Sequence, residues 1–282
     1  MITLFADNKN IEVEWLEHSD GALTCKIDTA IYKVKGTLYF NVCPTTPCKQ
    51  VREEIDLIYN SLWLMGCEDL ERELHLPYLP YARADRMFEE GNPEPLKVFM
   101  ETVFPFFSKV HLYDVHNLNE IKGQWMFNTE VSHTDQTSCF QYTCKRHDGY
   151  AQKWDYVISP DKGATEKAKK IGEVLGIPVV QASKERDIST GRIIKTELDT
   201  TLPVGSRVII VDDIGDYCGT HIALGEILKE MGCTVDLYVT HLIAPKGLSK
   251  LRGIFDKVYC YQTVGGYINK TDVMEFNDGK LY

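Results

Sequence analysis

The stretch from Arg207 to Thr220, RVIIVDDIGDYCGT, decides the fold. Val208, Ile209, Ile210 and Val211 form a β-branched run without polar interruption, the pattern of a strand buried on both faces inside a parallel sheet. Asp212 and Asp213 then close that strand. The carboxyl end of a buried strand is where open α/β sheets bind ligands, and paired carboxylates there accept hydrogen bonds from a vicinal diol. Asp216, Tyr217, Cys218, Gly219 and Thr220 turn the chain into a helix marked by Ile222, Leu224, Ile227, Leu228 and Met231. A helix N-terminus entered through a Gly-Thr turn presents unpaired backbone N–H groups, a cradle for phosphate. A diol acceptor beside a phosphate cradle describes a site for a ribose 5-phosphate group.

Outward from this stretch, strands and helices alternate along the whole chain, with no low-complexity tract. An α/β fold follows. Short strands are expected at Ile2–Phe5, Val13–Leu16, Leu23–Ile27 and Thr37–Val42, a helix at Val51–Met65 and a strand at Glu73–Tyr81. A helix over Leu96–Phe107 and a strand over Val110–Val115 come next. Asn117 to Trp154 carries little periodicity and is read as the crossover between two similar halves, 1–135 and 136–282. In the second half, strands are expected at Tyr156–Ser159, Val179–Ala182, Arg192–Leu198, Val235–His241 and Val258–Val264.

The 282 residues suffice for one large or two medium cores without disulfides. A formal charge of −10 argues against a nucleic-acid-binding surface, which needs clustered Lys and Arg, so any phosphate binding must be local. The N-terminal MITLFADNKNIEVEW lacks the pattern of a signal peptide, and no run reaches membrane-spanning length; a cytoplasmic protein without a membrane partner is expected. Nine scattered cysteines read as reduced, mostly buried thiols, and the spacings Cys43/Cys48 and Cys139/Cys144 are loose for structural zinc.

Four further segments carry chemistry. Tyr81 to Arg86 places Arg83, Asp85 and Arg86 in a loop between strand and helix, and VHLYDVH ends a strand in Asp114-x-His116. Pro160 to Ala164, with Asp161, Lys162, Gly163 and Ala164, is a strand-to-helix turn that again offers backbone donors to phosphate. Lys184-Glu185-Arg186 in an extended segment sends two cations to one side, where they can converge on a polyphosphate.

Together with the Asp212–Thr220 motif and Thr240-His241, these segments resemble, in the same order and across nearly the whole chain, those of the ribose-phosphate diphosphokinases (PRPP synthetases). The resemblance implies two tandem phosphoribosyltransferase-type domains with mostly parallel sheets. It also implies transfer of the β,γ-diphosphate of ATP, with Mg²⁺, to the anomeric hydroxyl of a ribose 5-phosphate, releasing AMP. Within it, Lys184 and Arg186 neutralise the transferring phosphates and Asp212 and Asp213 orient the ribose. Asp216 to Thr220 holds the 5-phosphate, and Asp161 to Ala164 forms the pyrophosphate loop. Asp161 and His116 serve Mg²⁺, while Arg83, Asp85, Arg86 and His18 serve ATP. Asp187 to Thr190 falls where the family has a mobile loop. Phosphoribosyltransferases, which share the Asp-Asp-…-Gly-Thr motif, and an inactive nucleotide-binding homologue are the alternatives.

The chain also departs from that family. His18 stands where an aromatic ring stacks on adenine, in Glu17-His18-Ser19-Asp20-Gly21-Ala22, and Ala84 replaces a glutamine. Tyr217 and His221 are large for positions beside a phosphate loop, which suggests an acceptor whose 5-phosphate carries more, such as ADP-ribose, with Tyr217 stacking on the extra adenine. Compact phage-encoded relatives look similar, including PYAR-x-DR…PLKVF, which would place the protein in a host cytoplasm. The end at Tyr282, without the family's longer tail, implies a homo-oligomer smaller than the usual hexamer.

Overall fold

A computed structural model describes residues 1–122, 128–148, 153–186, 193–198, 200–243, 248–264 and 273–275. The chain divides into two compact units, Met1–Thr134 and Asp135–Tyr282. Each is built on a mostly parallel sheet with helices, the α/β architecture expected from the alternating pattern.

The first unit contains β1 (Ile2–Ala6), β2 (Lys9–Ile11), β3 (Val13–Glu17), β4 (Leu23–Ile27), β5 (Leu38–Val42), α1 (Cys48–Leu64), β6 (Arg72–Leu76), α2 (Pro95–Val103), β7 (Lys109–Tyr113), α3 (Leu118–Lys122) and β8 (Glu130–Thr134). Its sheet runs β2-β1-β5-β6-β7-β8, with β5 to β8 parallel and β1 antiparallel to both neighbours. Asp7 and Asn8 join β1 to β2 with φ of 48° and 61°, the left-handed pair that a tight hairpin needs and that short polar residues tolerate. Along α1, Val51, Ile55, Ile58 and Leu62 recur at helical spacing and are buried in the same core as Leu38, Phe40, Leu74 and Val110. Glu54 interrupts that face, fully buried. Its carboxylate accepts the Ile2 N–H at 2.6 Å and a Gln50 amide hydrogen at 2.7 Å, and burial pushes the acid above its ordinary pKa.

The strand expected over Glu73–Tyr81 stops at Leu76, because Pro77 and Pro80 have no N–H with which to continue a ladder. The helix expected to reach Phe107 ends at Val103 and gives way to a 3₁₀ turn at Phe104–Phe106, with Pro105 at its centre.

The second unit contains α4 (Gln136–Asp148), β9 (Tyr156–Ser159), α5 (Thr165–Leu175), β10 (Val179–Arg186), β11 (Ile193–Leu198), β12 (Arg207–Gly215), α6 (Gly219–Glu230), β13 (Thr234–Leu242), α7 (Leu248–Leu251), β14 (Lys257–Thr263) and β15 (Val273–Glu275). The order is β11-β10-β9-β12-β13-β14-β15, parallel from β10 through β14 and antiparallel at both edges. From β9 the chain passes through α5 to β10 on one side, and it later returns to lay β12 on the other. The strand order therefore switches between β9 and β12. Side chains along β12 alternate between two cores: Val208 and Ile210 pack with Leu224 and Leu228 of α6, whereas Ile209 and Val211 pack with Ala168 and Ile171 of α5.

β12 does not end at its two acids. β13 stays in parallel register with it through Ile214↔His241 and Gly215↔Leu242, so the strand continues past Asp213 to Gly215. Gly215 is needed there, since a Cβ would stand 3.1 Å from both Cys218 Sγ and a Leu242 methyl.

Gly225 fixes how α6 meets the segment after α7. A Cβ on it would lie 2.4 Å from Ile254 Cγ2 and 3.1 Å from the Phe255 ring. Gly225→Val is expected to lower unfolding stability by about 1–3 kcal/mol through overpacking. Urea unfolding should show a lower midpoint at constant m value; an unchanged midpoint contradicts the close approach.

Candidate active site at the strand-order switch

In open α/β sheets, ligands bind outside the carboxyl ends of the strands where the order switches. The two loops at this switch are those that follow β9 and β12. After β9, Ser159 Oγ donates to the Asp161 carbonyl at 2.7 Å, and Asp161 Oδ1 accepts the Ala164 N–H at 3.1 Å. Thr165 Oγ1, at the start of α5, lies 2.8 Å from Gln181 Oε1 of β10 and 3.2 Å from Ser159 Oγ. The Asp161–Ala164 loop is thus shaped by its own aspartate and tied to the neighbouring strand. Gly163 is the close-approach position, where a Cβ would stand 3.2 Å from Asp161 Oδ1. Lys162 and Gly163 are exposed.

After β12, Asp216 and Tyr217 bend the chain and Cys218 enters the left-handed region at φ 55°, a conformation that costs a non-glycine residue energy. Cys218 occupies the N-cap of α6 without a side-chain cap hydrogen bond, which leaves the first helical N–H groups uncapped by their own residue. Thr220 is half-buried, Gly219 is exposed, and Tyr217 is 71% exposed.

The two acids straddle β12. Asp213 faces α5, where Lys167 Nζ donates to its Oδ2 at 3.0 Å. Asp212 faces α6, where His221 Nε2 lies 2.8 Å from its Oδ2. The Asp213 N–H donates to Asp212 Oδ1 at 2.9 Å. Burial alone would depress the His221 imidazole. The hydrogen bond to Asp212, the neighbouring Cys218 thiol and the Asp212 charge outweigh it and push its pKa up to about 10. Burial also raises the Asp212 acid, against the hydrogen bond and charge of His221 that favour its ionised form, so the two groups titrate as one pair; Asp212 accepts from two donors. Each acid near the end of β12 is matched by a basic side chain from a different helix. This matters because an uncompensated acid pair would repel phosphates a few residues away.

The backbone of Lys184 and Arg186 lies in β10, in register with Thr196 and Ile193 of β11, with a bulge between Glu185 and Arg186. Gln181 is the last β10 residue paired with β9, so the Lys184–Arg186 segment runs past the end of β9. Asp187 to Thr190 lies outside the described residues.

In the first unit, the Arg83–Arg86 segment follows β6 and His116 follows β7, the adjacent strand. Asn117 Nδ2 donates to Asp85 Oδ2 at 3.1 Å and links the two loops. Asp85 is buried, the Arg86 Nε stands 4.0 Å from its Oδ1, and the Arg86 guanidinium lies 5.5 Å from the Phe88 ring centroid. Asp114, before His116, sits at φ 36° with its N–H donated to the Thr134 carbonyl at 2.8 Å. His116 is exposed, and His18 is exposed in the turn of the separate β3–β4 hairpin. Among the described residues no group of three or more His, Cys, Asp or Glu could hold a metal, and no helix is long and apolar enough to cross a membrane.

Sequence reasoning did not find Lys167 or Asn117. Nothing in the sequence separates Lys167 from Lys169 and Lys170 on the same helix. His221, large for its position, directly follows the phosphate turn and is buried beneath it against Asp212.

Residues 139–264, within the second unit, match the family model described as phosphoribosyl transferase domain. The chain is 26% identical to the ribose-phosphate pyrophosphokinase of Pyrococcus abyssi over 203 residues, 71% of this chain and 68% of the relative. With that of Thermococcus kodakarensis it shares 27% identity over 224 residues, 78% of this chain and 76% of the relative. The chain is similar to ribose-phosphate pyrophosphokinases over about two thirds to three quarters of its length. Among solved structures, phosphoribosylpyrophosphate synthetase from Mycobacterium smegmatis superposes with a TM-score of 0.70 at 20% identity, covering 90% of this chain and 81% of that one, which bears on the fold. The two loops at the switch are the features that the chemistry below depends on.

Proposed function

We propose that the protein transfers the β,γ-diphosphate of ATP to the anomeric hydroxyl of a ribose 5-phosphate group. The anomeric oxygen attacks the β-phosphorus, the bond from that phosphorus to the α,β-bridging oxygen breaks, and AMP leaves. The observation that carries this reading is what meets at one strand-order switch: an acid pair near the end of β12, each acid partnered by a basic side chain, the uncapped turn that follows it, and an Asp161 loop after β9. Such chemistry consists of positioning and charge neutralisation and needs no covalent nucleophile. In this reading Asp212 and Asp213 orient the ribose hydroxyls and the Asp216–Thr220 turn holds the 5-phosphate. Lys184 and Arg186 would neutralise charge on the transferring phosphates, and Arg83, Asp85, Arg86 and His18 serve ATP.

Mg²⁺ would neutralise and template the phosphates when bound. It prefers oxygen donors and retains waters and substrate phosphates, so it requires only one or two carboxylates. The half-buried Asp161 fits that donor set without a three-residue cluster. His116 suits a phosphate or a metal-bound water better than direct Mg²⁺ coordination.

The acceptor extends to a 5-substituted form such as ADP-ribose. Tyr217 supports this, because its ring stands 71% exposed on the phosphate turn and can stack on a base carried beyond the phosphate. The test is ATP-dependent AMP release with ribose 5-phosphate and with ADP-ribose in parallel. Neither acceptor reacting refutes the diphosphate transfer, and turnover of ribose 5-phosphate alone refutes the larger acceptor. If ADP-ribose reacts, Tyr217→Ala is expected to raise its KM several-fold, by about 1 kcal/mol of lost stacking, and to leave that of ribose 5-phosphate unchanged.

A further inference from the structure

One polar atom at this site has no structural explanation within the fold. His221 is 4% exposed, and its Nδ1 is buried without an acceptor at hydrogen-bond geometry. Its other nitrogen spends its hydrogen bond on Asp212 at 2.8 Å. An imidazole in this position is a poor choice for packing alone. It faces the same side of β12 as Val208, Ile210, Leu224 and Leu228, where an aliphatic side chain would bury no unpaired nitrogen but would leave Asp212 Oδ2 without its donor. Buried polar groups that are only half satisfied persist where function needs them.

We infer that His221 is a positioning residue for acceptor binding: it clamps Asp212 from the buried side so that the carboxylate meets the ribose diol in one fixed orientation. The geometry supplies each part. Asp212 Oδ1 is held by the Asp213 N–H at 2.9 Å and Oδ2 by His221, so both oxygens are fixed while each keeps a lone pair for a hydroxyl. The Asp212 side chain is 19% exposed and His221 6%, so the clamp lies below and the acceptor surface above. Asp213 has the corresponding device in Lys167, supplied from α5 on the opposite face. A preorganised acceptor avoids the cost of ordering the carboxylate when the sugar binds.

This inference rests on the ribose-phosphate reading of the site, and the experiment separates the two. Wild type, His221→Leu and His221→Gln are compared by circular dichroism, by calorimetric binding of ribose 5-phosphate and ADP-ribose, and by KM and kcat for acceptor and ATP. Gln is the conservative variant because its Nε2 occupies the place of the imidazole Nε2 and can donate to Asp212. His221→Leu is expected to weaken acceptor binding and raise acceptor KM about tenfold or more, with ATP KM within twofold, and His221→Gln to recover most of the loss. The clamp is refuted if His221→Leu leaves acceptor affinity unchanged, or if acceptor and ATP KM rise together in both variants as a general structural defect would require. If His221→Leu does not fold, His221→Gln decides: acceptor affinity near wild type supports the clamp, and a tenfold loss refutes the hydrogen bond as its basis. A wild type that binds the acceptor without releasing AMP overturns the diphosphate transfer and leaves the clamp to be judged by the affinities. A wild type that binds neither acceptor overturns both.

Discussion

Replacing Lys184 with alanine is expected to lower kcat for acceptor-dependent AMP release by about a hundredfold or more, and Arg186→Ala to do the same. Phosphoryl-group transfer spreads negative charge over the equatorial oxygens as the bond breaks, so cations aimed at those oxygens act most strongly in the transition state. The protein carries a formal charge of −10, which makes its overall field unfavourable for a polyphosphate and leaves the neutralisation to local cations. At the switch, Lys167 is engaged with Asp213 and His221 with Asp212. The Lys184–Arg186 backbone runs past the end of β9, whose following loop carries Asp161. Binding of ATP should weaken less than kcat falls, because the ground-state phosphates retain Mg²⁺ and other contacts. Arg186→Lys should recover only part of the rate, since an ammonium does not reproduce the planar fork of the guanidinium. Single-turnover measurements at saturating ATP and acceptor check this. Variants that retain wild-type kcat would remove both residues from the transition state.

The part of the fold that the sequence made legible is the part built from aliphatic runs. β12 announces itself through Val208 to Val211, and β13 and α6 follow from equally plain apolar spacing. α4 was not legible for a physical reason: its buried face uses Cys139, Phe140, Thr143 and Cys144, which do not produce a strong hydrophobic period. β15 is only three residues long and gains its identity from antiparallel pairing with β14. The continuation of β12 through Gly215 depends on register with β13, a non-local fact that no local pattern contains.

The site divides in the same way. Motif order was enough to mark Asp161, Asp212, Asp213 and the Asp216–Thr220 turn. The partners of the acids were not readable, because Lys167 and His221 approach β12 from opposite faces and only the tertiary structure brings them there. The sequence also treated Tyr217 and His221 as two bulky side chains of one kind. One is 71% exposed on the turn and the other 4% exposed beneath it, so they belong to different questions, acceptor choice and acceptor positioning.

Asp212→Ala is expected to change the pH dependence of folding stability and not merely its size. In the wild type the His221 pKa is raised from 6.5 to about 10. A group whose folded-state pKa lies above its unfolded value stabilises fully below the unfolded value and loses that contribution as pH rises through the folded one. The imidazole therefore contributes most near pH 6, progressively less from about 6.5 upward and little above about 10, while toward acid the contribution falls again as Asp212, whose pKa burial raises, takes up a proton. Without the Asp212 carboxylate, burial dominates and depresses the imidazole, so the folded variant binds fewer protons than its unfolded chain. His221 then makes stability rise with pH through about 6.5, the opposite slope. Breaking a buried pair by removing one partner costs about 3–5 kcal/mol, and that gap should be widest near pH 6 and should close toward pH 10. Because Asp213, Lys167 and Cys218 are common to both proteins, the difference between their denaturation curves isolates the Asp212–His221 pair to first order. Urea denaturation of both proteins at several pH values between 5.5 and 10 tests it. A stability difference that stays constant across that range would mean that the buried imidazole is neutral in the wild type, and that Asp212 meets its ligand as an anion without a counter-charge.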